Sequence, residues 1–186
     1  MATTIIRPNG TTSQTVWDTG TMHTVLGDDN NATSGTQNQT TCNFTGTLGD
    51  LDSSLSGATI NSMTISLRGE PGRAGASTVT FNYVHSSDGA FGSEAENFTG
   101  GDQTVITSAR TTQQDGSSAL TFAYVNALSV KIAPNPQGIT AKELFVTVDY
   151  TAASGYGHAT LGVASANIGS ISGVATANIG KVIGVD

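Results

Sequence analysis

Apolar and polar side chains alternate along much of this chain. Met63, Ile65 and Leu67 alternate with Thr64 and Ser66, and Val79, Phe81 and Tyr83 with Thr78, Thr80 and Asn82. Leu128, Val130 and Ile132 enclose Ser129 and Lys131, and Leu144, Val146, Val148 and Tyr150 enclose Phe145, Thr147 and Asp149. A period of two places every second side chain on one face of a strand, so each run predicts a strand with one buried face. Shorter strands are expected at Thr4–Arg7, Thr15–Trp17, Thr24–Leu26, Thr41–Thr45, Gln103–Thr107 and Leu120–Tyr124. Turn residues separate the runs: Gly69-Glu70-Pro71-Gly72, Asp88-Gly89, Thr99-Gly100-Gly101-Asp102, Asp115-Gly116 and Pro134-Asn135-Pro136-Gln137-Gly138. No helical period stands out before residue 150. The pattern predicts an all-β protein: a two-sheet antiparallel β-sandwich with Greek-key or jelly-roll connections. Residues 1–47 form an arm and first strands, and 48–150 form the core of the same domain.

Beyond Tyr150 the pattern changes. Thr151 to Gly180 contains no Asp, Glu, Lys or Arg. Gly162-Val163-Ala164-Ser165-Ala166-Asn167-Ile168-Gly169-Ser170-Ile171-Ser172 recurs as Gly173-Val174-Ala175-Thr176-Ala177-Asn178-Ile179-Gly180-Lys181-Val182-Ile183, a period of eleven residues. Residues 151–186 thus form a repetitive C-terminal tail. A membrane helix has the length and a GxxxG spacing at Gly169 and Gly173, but Asn167 and Asn178 interrupt it and no aromatic anchors flank it. An eleven-residue period also suits a right-handed helical coil, which the glycines would weaken by about 1 kcal/mol each. Extended or strand–turn segments are the favoured reading. Outside a membrane, such a segment buries its Val and Ile only against a partner.

Composition narrows the class. Charged residues are 11% of the 186, and Gly, Ser, Thr and Asn are abundant. Helical bundles and coiled coils need more Leu, Glu, Lys and Arg than this. Net charge is −7, and the seven basic residues are scattered, so neither nucleic-acid binding nor a genome-packaging arm is expected. No membrane partner is expected either. One cysteine, Cys42, excludes an intrachain disulfide and reads as a small buried hydrophobe. Met1–Arg7 holds no apolar stretch of the kind a secretory signal needs.

Little in the chain suggests catalysis. His23, His85 and His158 are far apart and in no metal spacing, and neither a nucleophile elbow nor a P-loop occurs. No cofactor is expected. Asp28 and Asp29, and Asp50 and Asp52, offer weak Ca²⁺ sites in loops, against which stands their ordinary use as turn residues. Trp17, Tyr83 and Tyr124 would be the stacking residues if the sandwich bound glycans. Ile5, Ile6 and Arg7 in the N-terminal arm, and Val163, Ile168, Ile171, Val174, Ile179 and Val182 in the tail, are the candidate partner contacts.

The stretch from about residue 48 to 150 also has a familiar layout. It opens Leu51-Asp52-Ser53-Ser54-Leu55-Ser56-Gly57-Ala58-Thr59-Ile60-Asn61-Ser62-Met63. It closes on Tyr124-Val125-Asn126-Ala127-Leu128-Ser129-Val130-Lys131-Ile132 and Leu144-Phe145-Val146-Thr147-Val148-Asp149-Tyr150. This resembles the β-sandwich modules in virion proteins of tailed bacteriophages, and the tail repeats resemble tails of phage structural proteins. The resemblance implies a non-enzymatic capsid decoration (cement) protein on the outer virion surface. Its partners would be itself, as a homotrimer, and the major capsid protein or other virion proteins. The alternative is a tail-fibre or tail-appendage component that recognises host carbohydrate. A glycan-degrading enzyme is a third reading, disfavoured because no acid–base carboxylate pair stands out.

Overall fold

A computed structural model describes residues 1–15, 17–18, 21–30, 32–37, 43–72, 75–134 and 138–153, and the backbone of 170–171 and 174–175. The strands are β1 (Ala2–Ile6), β2 (Pro8–Thr15), β3 (Gly35–Gln37), β4 (Asn43–Leu48), β5 (Thr59–Pro71), β6 (Ser77–His85), β7 (Gly89–Phe98), β8 (Gln103–Ile106), β9 (Leu128–Pro134) and β10 (Ile139–Thr151). One-turn helices α1 (Met22–Leu26) and α2 (Phe122–Asn126) interrupt them. Two-residue strands β11 (Ser170–Ile171) and β12 (Val174–Ala175) pair antiparallel, with Ile171 opposite Val174. This pairing agrees with the strand–turn reading of that part of the tail. Val163, Ile168, Ile179 and Val182 lie outside the described residues.

The chain forms two antiparallel sheets packed as a sandwich. The first sheet runs β1-β10-β5-β8, with β3 on the same edge of β10 as β1. The second runs β2-β4-β9-β6-β7. Four pairings are nested, one inside the next: β1 with β10, β4 with β9, β5 with β8, and β6 with β7. A long antiparallel ladder wound on itself produces this nesting. Winding then adds the closing pairs, β10 with β5 and β9 with β6. The result is a jelly roll. Strand β2 is an extra edge beside β4.

The alternation does what the sequence predicts. Met63, Ile65, Leu67, Val79, Phe81, Val130, Ile132, Leu144, Val146 and Val148 are fully buried between the sheets. Phe44 and Phe98 join them. Burial of side chains this large supplies most of the folding free energy, and truncating a core Phe to Ala typically costs about 3–5 kcal/mol.

Several local expectations are corrected. Thr24–Leu26 and Leu120–Tyr124 are not strands. Met22 and Leu26 lie four residues apart, and one helical turn places both in the core. Around Tyr124, Thr121 caps a helical turn by accepting the Tyr124 N–H at 3.2 Å, and the turn buries Tyr124 and Val125. Gly69-Glu70-Pro71-Gly72 is not a turn at its start, because β5 continues through Pro71 opposite Ile139. β2 ends at Thr15, so Trp17 lies outside the strands. The N-terminal arm is no free arm: β1 pairs with β10 in the first sheet, and the chain crosses at Arg7 into β2 of the second. Ile6, assigned to partner contacts, is 5% exposed in this chain's own core. Ile5 points outward at 46% exposure.

Candidate functional site

Two irregularities at the β7–β8 edge create the most distinctive polar site among the described residues. In the β6–β7 hairpin, Phe81 faces Glu94 but Tyr83 faces Phe91, so two residues of β7, Gly92 and Ser93, oppose Asn82 alone. This is a β-bulge. Gly92 sits at φ +63°, the left-handed conformation that glycine adopts without strain. Across the gap, Thr107 N–H bonds Ile65 O, but the next bonds link Met63 with Arg110. Ser108 and Ala109 therefore bulge away from β5. Glu94 ties the two bulges together: Oε1 accepts the Ser108 N–H at 2.8 Å and its hydroxyl at 2.9 Å.

A cavity of about 220 Å³ lies between the bulges, lined also by Tyr83, Glu94, Thr107 and Arg110. The Arg110 guanidinium lies 5.0 Å over the Phe91 ring. Its Nε donates to Thr112 O at 3.0 Å and its Nη2 to Gln113 O at 2.7 Å. Two backbone carbonyls thus fix the group without neutralising it. Tyr83 stacks on Phe91 with centroids 5.7 Å apart. Its hydroxyl is buried and has no hydrogen-bond partner. Burial pushes the phenol well above its ordinary value; the nearby Thr107 hydroxyl and Arg110 charge pull it down by less. Next to this cavity-lining cluster, the Tyr124 ring stacks on His85 at 4.3 Å, and its hydroxyl accepts the Gln114 N–H at 3.1 Å. Asp88, Gln113, Gln114 and Asp115 line a separate hollow of about 590 Å³.

The aromatic residues assigned to glycan stacking are not exposed platforms. Tyr83 is 2% and Tyr124 7% exposed, because both rings face neighbouring rings in the core. Trp17 is half-buried against the core, and its indole N–H donates to Asn43 O at 3.1 Å. The acidic loop residues are turned to local tasks. Asp28 accepts from the Asn30 N–H and the Thr33 hydroxyl, and Asp29 pairs with Arg7 at 2.7 Å. Asp52 caps the 3₁₀ turn Ser53–Leu55, and hydrogen bonds from Ser54 hold its carboxyl below the ordinary value. Asp50 is exposed. Among the described residues no three His, Cys, Asp or Glu side chains gather as a metal site. Nor is any helix among them long and apolar enough to cross a membrane.

One cluster imitates a catalytic triad. His85 Nδ1 lies 2.9 Å from Ser87 Oγ, which donates to Asp88 Oδ1 at 2.6 Å. Asp88 Oδ2 approaches that same ring nitrogen at 3.4 Å. A base needs its nucleophile on one nitrogen and its orienting group on the other. Here everything meets at Nδ1, which is the geometry of a capped turn.

Sequence reasoning reached Tyr83 but missed Glu94 and Arg110. The one available signal was Gly92, a glycine inside an extended run, which often marks a bulge. No protein-family model and no curated protein matches this chain.

Proposed function

We propose that the chain is a structural protein of a phage virion, a capsid decoration protein that holds shell neighbours together through contacts between its own copies. The observation that carries this reading is that the jelly roll is complete without the tail. β10 ends at Thr151, the N-terminal strands are absorbed into the sheets, and the eleven-residue repeat, with Lys181 its one charged residue, follows as additional chain. Because the described strands close the sandwich by themselves, we assign the Val and Ile of the tail to partners.

Two edge residues add support. Ile5 on β1 is 46% exposed and Ile106 on β8 is 56% exposed, and these strands are opposite edges of the first sheet. Contacts joining two different edges are heterologous. They close into rings where the rotation between copies allows, and a trimer is the smallest such ring above a dimer. The resemblance of the sequence layout to phage sandwich modules is what suggests the virion context.

The test is to mix the purified chain with empty shells that lack it. Saturable binding and a higher shell melting temperature are the expected result. A monomer that binds no shell overturns the reading. Elongated trimers without shell binding move the assignment to a tail fibre, the second reading, which a sugar-binding cavity would favour.

A further inference from the structure

We propose that the cavity between the two bulges binds one neutral saccharide ring, the terminal unit of a glycan. Its walls carry an unusual set of unused polar groups. The Tyr83 ring lines it, while the Tyr83 hydroxyl is buried beneath, shut off from solvent. Its electrostatic neighbours, Thr107, Arg110 and Glu94, all line the cavity. Arg110 is held rigid through Nε and Nη2, and its Nη1 makes no hydrogen bond to any described group. Glu94 accepts both Ser108 bonds on Oε1, leaving Oε2 outside them, with the Glu96 carboxyl beside this group. Although Arg110 and Glu94 line one cavity, they form no ion pair.

These facts select the ligand class. A guanidinium and a carboxylate in one wall disfavour a simple anion through Glu94 and a simple cation through Arg110. A vicinal diol suits both, because each hydroxyl accepts one hydrogen bond and donates another. One hydroxyl would accept from Arg110 Nη1, and its neighbour would donate to Glu94 Oε2, a charge-assisted bond. About 220 Å³ is less than the roughly 300–1,000 Å³ of sites for drug-sized molecules, which limits the ligand to about one sugar ring. Gly92 leaves room in the cavity wall, since a Cβ there would lie 3.3 Å from Tyr83 Cδ2 and 3.7 Å from Arg110 Nη1. This proposal does not depend on the assembly role. Shell binding and saccharide binding are measured separately, and either can fail alone.

The experiment titrates the ¹⁵N-labelled full chain with the methyl glycosides of glucose, galactose, mannose and N-acetylglucosamine at millimolar concentration. Amide shifts confined to Gly92–Glu94 and Thr107–Arg110, saturating with at least one sugar, are expected. Glu94→Gln should weaken that binding about tenfold through loss of the charged acceptor. Arg110→Lys should weaken it several-fold through loss of the Nη1 donor, and an unchanged amide spectrum away from the cavity would separate binding from folding. The proposal is overturned if no glycoside shifts these amides, if both variants bind like the parent, or if free glycine, a zwitterion that also matches the two charges, produces the shifts and the sugars do not.

Discussion

Two arginines at opposite edges of the sandwich show how similar surroundings give different roles. Arg7 stands where the chain crosses from β1 to β2, 5.6 Å over the Phe145 ring; Arg110 stands at the β7–β8 edge, 5.0 Å over Phe91. Arg7 directs Nη2 at two carboxylates, Asp29 and Glu143, each at 2.7 Å. Arg110 directs its nitrogens at carbonyls. Carboxylates cancel the charge and make Arg7 a clasp between sheets and loop. Carbonyls only orient the charge, so Arg110 keeps it for whatever enters the neighbouring cavity. The partner, rather than the arginine, decides whether the group is structural or available.

The largest expected effect tests the clasp. Arg7→Ala leaves Glu143, 8% exposed, without its cation, and should cost about 2–4 kcal/mol by urea denaturation. Replacing both partners, Arg7→Met with Glu143→Leu, should recover most of that loss, because two desolvated charges disappear together. If the double variant is as unstable as the single one, Arg7 acts mainly through packing on Phe145. Arg110→Ala removes two charged hydrogen bonds to backbone and should cost less, about 1–3 kcal/mol. Faster amide exchange at Gln113 and Ser118 should accompany it, since both belong to the loop that Arg110 holds. A loss larger than that of Arg7→Ala would break the comparison.

Tyr83→Phe removes a buried hydroxyl that has no partner, so stability should stay level or rise by up to about 1 kcal/mol. A clear drop in melting temperature would mean that the hydroxyl is bonded in solution. The smallest effect concerns pH. The Ser118 hydroxyl, then the Ser117 and Ser118 amides, lower Asp115 from 3.8 to about 2. A depressed carboxyl stabilises the fold above its unfolded value and loses that contribution as pH falls towards about 2. Asp115→Asn should therefore flatten the acid side of the stability profile between those values. Glu96 has the opposite sign, being raised by burial and then by neighbouring Glu94. Its contribution is full below its ordinary 4.5 and declines as pH rises through the folded value. Carboxyl ¹³C titration reads both directions.

Legibility in the sequence followed burial. β5, β6, β9 and β10 are interior strands of the two sheets, and their buried faces wrote period-two patterns. β2 and β7, the edges of the second sheet, went unseen because each buries few residues along its length. The segments Pro8–Thr15 and Gly89–Phe98 bury only Pro8 in one case and Phe91 and Phe98 in the other, so little alternation is left to read. The two helical turns were missed because five residues are too few to display a period of 3.6. Tyr83 was visible as an aromatic residue, but the sequence shows neither its burial nor its neighbours.

By itself the sequence determined the fold class, the four central strands, most of the core and the repetitive tail with its charge-free stretch from Thr151 to Gly180. These properties depend on the order of apolar and polar residues, which a linear string displays directly. Only the tertiary structure decided that the N-terminal segment belongs to the sandwich, that Arg7 is neutralised and that Arg110 is not. Glu94, Arg110 and Tyr83 share a cavity because β6, β7 and the segment after β8 converge there. A cavity between two bulges depends on which strands become neighbours, and long-range pairing sets that, not local order.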